Sequence, residues 1–137
     1  MRYTSARVKA EWQNPELNPL LKRIVSDVAG YALERWNWHF TATSIYRSPA
    51  EDAKLEASGV HAEWRAIDVR TRGRSAETIA DVSRYANEKW LYDETRPHLK
   101  VCVTELHGTG PHAHFQVHPR TKLRKEPLQP PAPQRHA

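Results

Sequence analysis

The chain has 137 residues, enough for one domain with one hydrophobic core, and 39% apolar content with five Trp and five Tyr excludes a disordered polymer. A net charge of +5 favours an anionic partner: nucleic acid, an acidic membrane surface or an anionic cell-wall polymer. Cys102 is the single cysteine, which excludes an internal disulfide and a thiolate zinc cage, so a transition-metal site here must use His and carboxylate.

In chain order, "MRYTSARVKAEWQ" lacks the apolar core of a secretory signal, so synthesis in the cytoplasm without export by that route is expected. No run of eighteen apolar residues occurs, so no membrane span is expected either. Residues 16–36, "ELNPLLKRIVSDVAGYALERW", carry Leu17, Leu20, Leu21, Ile24, Val25, Val28, Ala32 and Trp36 at helical spacing. Asn18 before Pro19 is a suitable cap and first-turn pair. "HFTATSIYR" (39–47), β-branched and aromatic, predicts a strand, and Ser48-Pro49 followed by acids predicts a short helix.

"RAIDVR" (65–70) predicts a second strand after a Gly-containing loop. "SAETIADVSRYANEKWL" (75–91) predicts a helix capped by Ser75 that buries Ile79, Val82, Ala86 and Trp90. Two strands follow, "LKVCVTEL" (99–106) and "HAHFQVH" (112–118), joined through "HGTGP" as an antiparallel pair. The tail "RTKLRKEPLQPPAPQRHA" is basic and then rich in proline, with little to bury. The expected organisation is one α+β domain over 1–119, a small, mostly antiparallel sheet with helices packed on one face, and an extended, flexible tail over 120–137.

The chemistry concentrates in histidine and carboxylate. Four of the eight His fall between 107 and 118, and His112 and His114, two apart on a predicted strand, point to one face. An isolated pair of this kind is commonly the solvated face of an edge strand. Asp68 lies between Ile67 and Val69, so if those two enter the core, Asp68 faces the other side and needs a cation, donors or a metal. His61, in the loop just before, can reach over the end of that strand. Two His and one Asp, with a fourth position left for water, are the ligand set of a catalytic zinc site.

Three blocks, "TSIYRSPAED" (43–52), "SGVHAEWRAIDVR" (58–70) and "GPHAHFQVH" (110–118), resemble in order and spacing the zinc peptidases of the D-Ala-D-Ala carboxypeptidase family. That family includes phage endolysins cleaving L-alanyl-D-glutamate bonds and the vancomycin-resistance dipeptidase. The resemblance covers about residues 40–118. It implies a Zn2+ cofactor held by His61, Asp68 and His114. It also implies that Arg47 holds a substrate carboxylate or polarises the scissile carbonyl. His112 is then the acid/base residue, with Glu105 as the alternative and His107 able to assist either. The implied partner is a peptidoglycan stem peptide rather than nucleic acid, reached at the cell wall after release from the cell.

The chain departs from the family pattern in four places. Trp64 and Ile45 stand where it has glycines, Pro111 stands where many members have an acid, and Ser58 is three residues before His61 instead of two. Two other readings follow from the residues: a non-catalytic zinc-binding or virion-structural module on the same fold, and a nucleic-acid binder or metal nuclease.

Overall fold

Asn18 turns the chain into its longest helix. Its side-chain oxygen accepts from the backbone N–H of Leu20 and Leu21, with Pro19 in the first turn, and the helix ends at Asn37 in the left-handed region at φ 51°. In this computed structural model the described residues are 1–54, 59–104 and 111–125, Asp52 by its backbone alone. The elements run β1 (Arg2–Tyr3), α1 (Ala6–Trp12), α2 (Pro19–Trp36), β2 (Thr41–Ser44), α3 (Pro49–Lys54), β3 (Ala66–Arg70), α4 (Ala76–Lys89), β4 (Trp90–Leu91), β5 (Cys102–Val103), β6 (His112–Gln116) and β7 (Lys122–Leu123).

Five strands form one sheet in the order β1-β2-β3-β6-β5. β1 runs parallel to β2 and every other neighbour pair is antiparallel, so the mixed α+β, mostly antiparallel architecture expected from the sequence is present. Alternation along β3 and β6 decides what goes where. Ile67, Val69, Ala113 and Phe115 join Val8 and Trp12 of α1, Leu21, Ile24, Val25 and Val28 of α2, and Val82 and Ala86 of α4 in one core. The residues between them on β3 and β6 face the other side.

Two carboxylates fasten α2 to α4. Asp81 accepts from the Tyr31 hydroxyl (2.7 Å) and the Trp36 indole (2.8 Å), and Asp27 from the Tyr85 hydroxyl (2.9 Å). Tyr31 and Tyr85 stack between them, centroids 4.0 Å apart. α4 is capped by Ser75, as its sequence predicts, but Thr78 is the buried residue of its first turn while Ile79 is half-buried. The Thr78 hydroxyl can go inside because Ser75 Oγ lies 2.9 Å from it.

The folded part runs past residue 119. Lys122–Leu123 pairs with Trp90–Leu91, Thr121 Oγ1 donates to the Tyr92 carbonyl at 2.8 Å, and Arg120 reaches the buried Asp93 at 2.9 Å. Residues 120–123, expected to begin the tail, thus lead into and form one strand of a small second sheet, held by polar contacts that hydrophobic patterning does not register. The proline-rich segment beyond 125 lies outside the described residues, as does most of "HGTGP". Among the described residues, no helix is long and apolar enough to cross a membrane.

Candidate metal centre

β3 and β6 pair so that Asp68 lies directly across from His114, and Arg70 across from His112. Their neighbours on each strand are in the core, so Asp68, His112, His114 and Gln116 share the opposite face.

His61 comes to the same place from the loop before β3. Residues 60–65 make one helical turn closed by two bonds, Trp64 N–H to the His61 carbonyl (3.2 Å) and Arg65 N–H to the Val60 carbonyl (2.9 Å). This paired closure, a Schellman motif, places one residue in the left-handed region just past the turn. That residue is Trp64, at φ 58°. Glycine alone enters this region without steric cost. Here a tryptophan occupies it, its ring stacked on Tyr46 and packed against the core. The Trp64 carbonyl accepts from Asn18 N–H at 3.0 Å, which ties the turn to the start of α2.

The side chains then converge. His61 is 2% exposed and Asp68 3%. His61 Nδ1 lies 2.7 Å from the Ile45 carbonyl oxygen, which can only accept, so Nδ1 carries the ring hydrogen and Nε2 of the neutral ring is left with a lone pair. That Nε2 is buried and has no hydrogen-bond partner. It points toward Asp68 Oδ1, 3.5 Å away. His114 Nδ1 lies 2.9 Å from the same oxygen, and its Nε2 lies 3.2 Å from Gln116 Oε1. One ligand atom from each of His61, Asp68 and His114 falls within 4.8 Å of the others, so the three could hold a metal ion.

A lone pair buried against a carboxylate is unfavourable. A cation seated among the three atoms removes that conflict, and two imidazole nitrogens with one carboxylate oxygen suit a divalent transition metal. Asp68 is held ready for it: burial pushes its carboxyl up, but the hydrogen bond with His114 beside it outweighs burial and holds it well below the usual carboxylate range. Its second oxygen accepts from Arg47 at 2.9 Å.

The structure therefore brings His61, Asp68 and His114 together and sets two other expected residues at their edge. His112 Nε2 is 3.9 Å from Asp68 Oδ1, and Arg47 is on the carboxylate of Asp68. Arg47 also lines a cavity of about 260 Å³ bounded by Arg7, Glu11, Tyr46 and Glu51. Glu105, His107 and Ser58 lie outside the described residues. Two contributors had escaped the sequence reading. The Ile45 carbonyl has no sequence signal, whereas Gln116, two residues after His114 on one strand, could have been found from the period-two rule. Compared with known proteins, the chain matches no family model, no curated protein and no solved structure.

Proposed function

We propose that this chain is a zinc-dependent peptidase acting on peptidoglycan stem peptides. The observation that carries the metal part is the buried, partnerless Nε2 of His61 aimed at Asp68 Oδ1. Zinc is chosen by the donor set, two imidazoles and a carboxylate without thiolate, and by the count of three protein ligands, which suits a catalytic site more than a closed structural one. The substrate class rests on the resemblance of the three sequence blocks.

Zn2+, when bound, acts as a Lewis acid toward the scissile carbonyl and makes water nucleophilic near neutral pH. The protein does the rest. His61 and His114 offer one nitrogen each, and Asp68 offers its ionised carboxylate. Arg47, bonded to Asp68 Oδ2, steadies that carboxylate and adds positive charge where the tetrahedral oxyanion develops. His112, 3.9 Å from Asp68 Oδ1, is close enough to take a proton from the attacking water and return it to the leaving amine. Glu105 is the alternative base. The net positive charge favours residence on an anionic wall, where the enzyme acts after release from the cell.

The test combines metal analysis of the purified protein with digestion of purified cell walls, with and without chelator. Bound zinc and chelator-sensitive release of free amino groups support the proposal. Bound zinc without cleavage assigns the chain to the non-catalytic module, and absence of metal overturns the reading altogether.

A further inference from the structure

We infer that Gln116 is a positioning residue that sets which nitrogen of His114 faces the metal centre, an inference that rests on the metal-binding reading above. Gln116 follows His114 by two residues on β6 and shares its face. Its Nε2 donates to the Lys100 carbonyl at 2.9 Å. A carbonyl only accepts, so the amide is oriented with its NH2 toward Lys100 and its oxygen toward His114. The Lys100 carbonyl is fixed in turn, because the next residue, Val101, accepts the backbone N–H of Gln116 at 2.9 Å.

Gln116 Oε1 then lies 3.2 Å from His114 Nε2. An amide oxygen has no hydrogen to give, so Nε2 must carry one. The ionised Asp68 Oδ1, 2.9 Å from Nδ1, has no hydrogen to give either, so Nδ1 donates to it in the metal-free protein. A cation seated there takes the place of the Nδ1 hydrogen, while Gln116 holds the other hydrogen on Nε2. His61 is oriented by the same logic through a different partner, with its Nδ1 on the Ile45 carbonyl. The two rings therefore present opposite nitrogens to one point, Nε2 from His61 and Nδ1 from His114. Without Gln116 that hold on Nε2–H is lost, so His114 can keep its hydrogen on Nδ1 toward Asp68 and turn its lone pair away, which withdraws one of three ligands. Hydrogen bonds behind ligating histidines commonly act in this way.

The test uses the full chain, Zn2+ alone as the probe, and three proteins: wild type, Gln116→Leu and Gln116→Glu. Gln116→Leu should bind Zn2+ roughly 10- to 100-fold more weakly, whereas Gln116→Glu, which keeps an acceptor for Nε2–H, should return to within about threefold of wild type. Long-range 1H–15N spectra of the imidazoles should show the His114 hydrogen on Nε2 in the wild type, with or without zinc, and lose that state in Gln116→Leu. Equal Zn2+ affinity of wild type and Gln116→Leu, or zinc bound through Nε2 of His114, overturns the inference. If the wild type takes up no Zn2+, the metal-centre reading falls by itself. The presence or absence of hydrogen on Nε2 in the metal-free protein then decides the role of Gln116 independently.

Discussion

Trp64 stacks on Tyr46 with ring centroids 4.5 Å apart and 15° between the planes, while its own backbone stands at φ 58°. The two facts oppose each other energetically. A non-glycine residue in the left-handed region costs ~1–2 kcal/mol, and an aromatic pair contributes ~0.5–1.5 kcal/mol beyond its buried area. Trp64→Gly removes both the cost and the stack, whereas Trp64→Ala loses the stack and keeps the cost. Both variants also lose the ring area that Trp64 packs against the core, so both should be less stable than wild type, and Trp64→Ala should be the worse by ~1 kcal/mol in chemical denaturation. An alanine variant as stable as the glycine variant would show that the turn bears no left-handed strain.

Asp93 contributes to the acid limb of stability. Its side chain is fully buried, and it accepts from Thr95 N–H (3.0 Å), Thr95 Oγ1 (2.8 Å), Arg96 (2.9 Å) and Arg120 (2.9 Å). Burial raises its carboxyl, but Arg120, Thr95 and Arg96 together hold it well below the usual range. The folded value lies below the unfolded one of about 3.9, so the unfolded chain binds the proton more readily. The stabilisation is complete above about pH 4 and fades as pH falls toward the folded value. Denaturation of wild type and Asp93→Asn should therefore differ most at neutral pH and converge below about pH 4; a gap that stays constant or widens in acid contradicts the assignment.

Cys102 should be chemically silent in the native protein. It is 2% exposed, burial pushes its thiol up to about 12, and its backbone N–H and carbonyl are both bonded to the Asn87 side chain. A disulfide reagent at mildly alkaline pH should modify it only after unfolding, at one equivalent per chain. Rapid modification of the folded protein would contradict its burial in β5.

The Asn18 cap can be weighed directly. Its side chain serves two N–H groups of α2 and its backbone N–H binds the Trp64 carbonyl. Asn18→Ala should cost about 1 kcal/mol in chemical denaturation. A variant within error of wild type would show that the cap is replaced by water.

What could be read in advance followed from local rules. The Asn18-Pro19 start, the Ser75 cap and the alternation of Ile67, Asp68 and Val69 each depend on residues within a few positions of one another. α1 was missed because seven residues with only Val8 and Trp12 buried give too little periodicity, although Ser5 does cap it. β4 and β7 are two-residue strands whose pairing spans some thirty positions, beyond any pattern in either. The ligand trio was legible as residue types, but the bond from Arg47 to Asp68 and the Ile45 carbonyl behind His61 exist only once the strands are in register.

The central claim is that His61, Asp68 and His114 hold one metal ion. Titration of the metal-stripped full chain with Zn2+, wild type against His61→Ala, tests it most directly. The account predicts one Zn2+ per wild-type chain and an affinity at least roughly 100-fold weaker in His61→Ala, a larger loss than second-layer changes produce. No uptake by wild type, or equal uptake by both proteins, would contradict it.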